Sequence, residues 1–354
     1  MTRATLLLAC LMAFESTTRA SSLVEAVMAW APASNVLIVA HGGPRPTVTA
    51  YSMKGAILWS RPGLAHPSFV VTDKIGSRVA ILSALDDAVQ IVELNSGGSR
   101  RVETPATPVA ARFEESAVVV LCRDGRKLVR IADGTISMSV DLPADASFLA
   151  GAGGSLWIYS RLTGDLIEFD SDTLSIRSRA VFDRFASDLE VDDRHAYLVY
   201  PREGTVEVIA LPEMTLAGRL NVGAVPIDLI VQKGGTALTA TVLHVADPAS
   251  RAIYANESTQ SFAAAFGRGL LRGLLGFGLL SGTSAQFPAP IDRILADGNR
   301  MLAYDSAGRA LYSFGGKKSH LLATSVPRGG YTFVEQGIAW WDETGNRPVI
   351  IPSP

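Results

Sequence analysis

One apolar phrase returns along this chain at intervals near forty residues, and few folds can be built from such a unit. Each occurrence is a short apolar run, a tight polar turn and a second apolar run. It reads VMAWAPASNVLIVA at 27–40, FVVTDKIGSRVAIL at 69–82, VAARFEESAVVVLC at 109–122 and FLAGAGGSLWIYS at 148–160. It continues as LEVDDRHAYLVY at 189–200, LIVQKGGTALTATVL at 229–243, ILADGNRMLAYD at 294–305 and TFVEQGIAWWD at 332–342. Anchored on Val36, Val79, Val118, Leu156, Tyr197, Leu238, Leu302 and Ala339, the spacings are 43, 39, 38, 41, 41, 64 and 37. A third run follows each pair, as in TVTAYSM (47–53) and TVEVIAL (205–211), and a fourth follows several, as in TISMSVDLP (135–143).

Short runs that alternate with period two, separated by Asp, Gly and Pro turns, argue for strands throughout. One four-stranded sheet cannot bury both of its faces alone, but a ring of stacked sheets can. The expected fold is therefore all-β, a β-propeller of four-stranded antiparallel blades. Eight units are counted, with seven blades as the alternative. The eighth stops at Pro354 after its third strand. Such rings close when an N-terminal segment completes the last blade and leaves no bare edge, and residues 21–25 are the candidate for that role.

The unit ASDLEVDDRHAYLVYPREGTVEVIALPEMTLAGRLNVGAVPIDLIV, at 186–231, resembles the YVTN-type repeat of secreted bacterial propellers. There a "vG…P" step leads into the next inner strand, seen here as Asn221-Val222-Gly223-Ala224-Val225-Pro226. The resemblance is sharp in this unit and otherwise carried by the period. Tyr51 to Trp59 is similar to one quinoprotein-type repeat with a docking Trp, but no other unit repeats it and that reading is set aside.

Composition narrows the class. Over 354 residues the chain is 48% hydrophobic and 19% charged with a net charge of −2, which suits a globular fold and gives no electrostatic pull toward nucleic acid. Residues 1–20 have a short positive start, an apolar run from Ala4 to Phe14 and small residues before Ser21, the layout of a secretory signal peptide cleaved after Ala20. The mature chain, 21–354, is then expected to be one propeller domain, exported to the periplasm or beyond. Cys10 would leave with the signal, so Cys122, within a strand-like apolar run, could form no intrachain disulfide and reads as a small buried hydrophobe.

No catalytic constellation stands out. His41, His66, His195, His244 and His320 show no paired metal spacing, and no calcium loop, nucleophile elbow or phosphate loop occurs. Asp86-Asp87 and Asp192-Asp193 read as turn caps, and His195 as a turn residue. Glu168 and Glu207 read as ordinary carboxylates on solvated strand faces. Of Trp340 and Trp341, which must point to opposite faces, one is expected in the core and the other between blades or on the surface. No metal or cofactor site is expected.

The 64-residue spacing contains an insertion at about 258–285, read as replacing or following the fourth strand of unit six. Within 262–280, Phe262, Phe266, Leu270, Leu274 and Phe277 follow a helical period, and Leu271, Leu275 and Leu279 form a second stripe. Arg268 and Arg272 lie four apart, and Gly269 and Gly273 have the spacing of close helix packing. Two central Arg, at about 2.5–3.5 kcal/mol each on insertion scales, argue against a membrane span. The segment reads first as an excursion packed on the propeller, then as an element docking on a membrane surface or partner, then as a disordered loop.

The function expected from these features is a non-catalytic binding or scaffold module of the cell envelope, taking an unidentified protein or small ligand. The alternative is a lactonase-like propeller hydrolase, which would need carboxylates and a metal at the channel mouth. Convergence of three or more Asp, Glu or His at one end of the axis would favour the enzyme.

Overall fold

The computed structural model describes residues 26–352 apart from 183, 223, 234–240, 259–282, 298–299, 316–317 and 336. They form eight antiparallel sheets, seven of four strands and a last one of three, each in simple sequential order. Blade 1 spans 26–62, blade 2 69–103, blade 3 108–141, blade 4 146–181, blade 5 188–221, blade 6 228–286, blade 7 293–323 and blade 8 331–352. The first strand of each blade is innermost. Ala26–Ala31 lies against both Phe69–Thr72 and Tyr331–Val334, which closes the ring. This is the eight-bladed propeller that the period predicts. Residues 21–25, the candidate closing strand, lie outside the described residues.

Burial on both faces explains why the second strands read as unbroken apolar runs. In Ala117–Cys122, Val118, Val120 and Cys122 enter the core shared with blade 2, while Val119 and Leu121 enter the core shared with blade 4. Eight such apolar clusters occur among the described residues, one for each interface of the ring. Cys122 is fully buried, and burial pushes its thiol up to about 12, so it is inert at neutral pH. Trp341 packs between blades 8 and 1 and Trp340 against the core between 7 and 8, so both tryptophans serve inter-blade packing. Trp59, on the outer strand of blade 1, donates its ring N–H to the Leu94 carbonyl of blade 2 at 2.9 Å.

The last residue of the second strand is a turn-capping position, filled by a capping side chain in blades 2, 4, 6, 7 and 8. Asp247 is fully buried and accepts from the backbone N–H groups of Ala249 and Ser250. It also accepts from Ala224 N at 2.7 Å and Val225 N at 3.3 Å, and so grips the linking segment that enters its own blade. Ser160 and Asp305 hold the same place in blades 4 and 7. Measured between these capping positions, from His41 to Asp342, the spacings are 42, 39, 38, 40, 47, 58 and 37.

Blade 6 corrects the sequence reading. Its second strand is Thr241–Asp247, beginning beyond Leu238, and it pairs with the first strand with Thr241 opposite Lys233. The surplus is therefore split between two places. The fourth strand, Thr283–Gln286, follows the insertion and pairs with Ala252–Ser258, so the insertion neither replaces nor follows that strand but precedes it. Because antiparallel strands alternate in direction, Ser258 and Thr283 end on the ring face that carries the first hairpin turns. The named residues from Phe262 to Leu279 lie outside the described residues. No helix among the described residues is long and apolar enough to cross a membrane.

Candidate functional site

The inner strands can be aligned through their pairing with the second strands. One register position faces the next blade at the channel rim, and around the ring it holds Val27, Phe69, Ala110, Phe148, Asp188, Asp228, Arg293 and Gly330. Blades 1 to 4 are apolar here. Blades 5 to 7 are charged. Two residues on, the only charged members are Arg112 of blade 3 and Glu190 of blade 5.

Asp188 and Asp228 use part of their hydrogen-bonding capacity to tie blades together. Asp188 Oδ2 accepts from Leu229 N of blade 6 at 2.8 Å and Oδ1 from Leu189 N at 2.9 Å. Asp228 Oδ2 accepts from Ile294 N of blade 7 at 2.7 Å. The repetition follows from the repeated strand opening, Asp-Leu at 188–189 and 228–229. At the next step Arg293 replaces the aspartate and the chain of ties ends.

Around Arg293 the channel wall becomes polar in another way. Asp292 accepts from Ser306 N at 3.1 Å. Arg328 precedes the inner strand of blade 8. Tyr331 opens that strand, and its ring centroid lies 4.9 Å from that of Tyr304, whose hydroxyl donates to the Val326 carbonyl at 2.7 Å. Tyr331 is 9% exposed, and its hydroxyl has no hydrogen bond among the described residues. Arg293 and Arg328 keep solvent access and have no ion pair or hydrogen-bond partner among the described residues.

The electrostatics show how enclosed these groups are. Burial raises the carboxyl of Asp228 well above its usual range, and Asp188 raises it further, while Arg293 opposes the rise. Asp188 is raised by burial and then by Glu190, and Glu190 by burial and then by Asp228, against the pull of Arg112. Asp292 is also raised by burial. Burial and the like charge of Arg293 lower Arg328, and burial raises the Tyr331 phenol. Water reaches these side chains, yet protein surrounds them on most sides, as a narrow axial channel requires.

Arg112 is held differently. It pairs with Glu114 of its own strand at 2.5 Å and lies against Gly151 of blade 4, where a Cβ would come within 2.5 Å of its Nε. Any side chain at Gly151 would displace it.

The carboxylates expected on solvated faces are elsewhere, and that expectation is corrected. Glu168 and Glu207 are buried on third strands. Glu168 accepts from Ser155 and Ser178, both at 2.6 Å. Glu207 binds Arg184 at 2.6 Å and Arg219 at 2.5 Å. The stacked blades cover both faces of the third strand, so a carboxylate there must bring its own partners. Asp192 behaves as expected: it caps its turn through Arg194 N and His195 N, both at 2.8 Å, and leaves His195 at the turn.

The channel residues themselves escaped sequence reasoning, since each is one charged residue at the start of an apolar strand. The one available signal was the recurrence of Asp-Leu at equivalent places in units five and six. Among the described residues no three His, Cys, Asp or Glu side chains are grouped so as to hold a metal ion.

No protein-family model matches the chain, and no curated protein matches it in sequence. Solved structures do match in fold. A computationally designed protein, Ika8, is similar at TM-score 0.67 and 11% identity, covering 94% of this chain and 98% of that one. The dihydro-heme d1 dehydrogenase NirN, in complex with DHE, is similar at TM-score 0.70 and 13% identity, covering 91% and 74%. KlHsv2 with loop 6CD replaced by a Gly-Ser linker gives TM-score 0.58 and 10% identity, covering 94% and 98%. At such identities the likeness is one of architecture, and it places the chain among eight-bladed β-propellers.

Proposed function

We propose that this protein is a non-catalytic binding module that takes a small polar ligand at the channel rim of blades 5 to 8. One observation carries the reading: Arg293, Arg328 and the Tyr331 hydroxyl face the channel with no hydrogen-bond or ion-pair partner among the described residues, while the equivalent rim position on blades 1 to 4 is apolar. The test is a thermal-shift screen of small polar metabolites on the intact protein, followed by calorimetry. A ligand whose binding is lost in Arg293→Gln supports the reading, and a ligand that binds equally to that variant places the site elsewhere.

The export of this module, with cleavage after Ala20, is part of the proposal and is supported by the layout of residues 1–20 and by the YVTN-like unit at 186–231. N-terminal sequencing of the protein from an envelope fraction tests it. Contact of 262–280 with a membrane surface or partner is likewise proposed from its apolar stripes. Deleting that segment should abolish co-sedimentation with anionic liposomes and leave the β spectrum intact.

A hydrolase is the second reading, favoured by the electrostatic coupling of Asp188, Glu190 and Asp228 on neighbouring blades. Against it, Asp188 and Asp228 are occupied by inter-blade amides, and no three such side chains among the described residues are grouped to hold a metal ion. Lactone hydrolysis that depends on an added divalent cation and falls in Asp228→Asn would decide for the enzyme.

A further inference from the structure

The charges at the channel rim are not mixed at random. Acids dominate on blades 5 and 6, with Asp188, Glu190 and Asp228, and the two guanidiniums of Arg293 and Arg328 follow on blades 7 and 8. The site is therefore a dipole laid across neighbouring inner strands. Resting on the reading that this rim binds a small ligand, we infer that its ligand is a small zwitterion, carrying a carboxylate and an ammonium group.

Each end of this dipole is open to a group of opposite charge. Arg293 and Arg328 repel one another and have no ion-pair partner among the described residues, so an anion between them relieves both. A carboxylate offers flat, two-pronged acceptance to a guanidinium fork, and the Tyr331 hydroxyl adds a third donor. The Tyr331 ring is buried against the tilted ring of Tyr304, and its hydroxyl has no hydrogen bond among the described residues, so the donor is oriented before any ligand arrives.

A free dianion such as phosphate fits less well. Asp228 and Asp292 lie within electrostatic reach of the same groups and would repel a second negative charge. At the other end the aspartates keep acceptor capacity after their inter-blade bonds. Asp228 accepts through Oδ2, and Asp188 and Glu190 crowd their negative charge beside it. Arg293 and Arg112 attract these carboxyls without forming an ion pair to them, and an ammonium group there adds a cation in direct contact, with three donors for the remaining lone pairs.

The experiment titrates the intact protein with the free L-amino acids one by one, each compared with its amide, its N-acetyl derivative and inorganic phosphate. At least one free amino acid is expected to bind, with its amide and its N-acetyl form each at least tenfold weaker. Arg293→Gln and Tyr331→Phe should weaken the carboxylate-bearing probes and leave the difference between free amine and N-acetyl form in place. Asp228→Asn should do the reverse. Equal binding of the free and N-acetyl forms, or tighter binding of phosphate, overturns the zwitterion while leaving a channel site standing. A bound amino acid whose affinity is unchanged in all three variants overturns both. Unfolding of each variant in urea, compared with the unaltered protein, separates lost affinity from lost fold.

Discussion

Blades 1 to 4 and blades 5 to 8 share one architecture and treat the channel rim in opposite ways. The equivalent rim residues are Val27, Phe69, Ala110 and Phe148 in the first half and Asp188, Asp228 and Arg293 in the second. Both halves have the same kind of apolar core between blades. Stability in this molecule therefore belongs to the interfaces, which are alike all round, and the rim is free to differ. Asp188 and Asp228 also tie blades together, whereas Arg293 and Arg328 make no such tie and are the part most open to a functional account.

Predictions that break or sharpen this contrast can be ranked by size. The largest concerns the seam between the halves. Trp341 is 4% exposed between blades 8 and 1, so Trp341→Ala should destabilise the protein by about 3–5 kcal/mol in urea unfolding. A much smaller loss would mean that the ring does not close tightly there. Next comes Glu207, whose removal strands Arg184 and Arg219. Because those arginines are 34% and 43% exposed, Glu207→Ala should cost about 2 kcal/mol, less than a fully buried pair.

The third prediction separates the halves by pH. The carboxyls of Asp188, Glu190 and Asp228 are raised in the folded state, mainly by burial. From about pH 4, where an unfolded chain's carboxyls ionise, up toward their raised range, the folded protein holds more protons than the unfolded chain. Stability should therefore fall as pH rises through that window. Asp73 and Asp170, held below the usual range by hydrogen bonds, act oppositely and lose their contribution only in stronger acid. Asp188→Asn with Asp228→Asn should flatten the slope between about pH 5 and 8, read from urea midpoints, while a change such as Thr49→Val in blade 1 should leave it as it was.

Much of the fold was legible because burial on both faces writes itself into unbroken runs such as Ala117–Cys122, and each turn cap recurs near forty residues. Blade 6 was less legible. Extra residues before its second strand shift that strand past Leu238 and a larger insertion precedes its fourth, and an apolar period alone cannot apportion the surplus between two such places. Glu168 and Glu207 were misread because solvation of a strand depends on the neighbouring blade, which lies some forty residues away. The site was hidden for a related reason. Asp188, Asp228, Arg293 and Tyr331 meet only when the ring closes, and no local spacing joins them.

The most direct test of the account compares stability and binding in Arg293→Gln/Arg328→Gln. If the second half of the rim is built for a ligand, unfolding in urea should change by less than about 1 kcal/mol, because the relief of two mutually repelling charges offsets the loss of their attraction to Asp228 and Asp292. The same protein should lose at least tenfold in affinity for a ligand found with the unaltered chain. A stability loss of several kcal/mol with affinity unchanged would contradict it and make these arginines part of the framework.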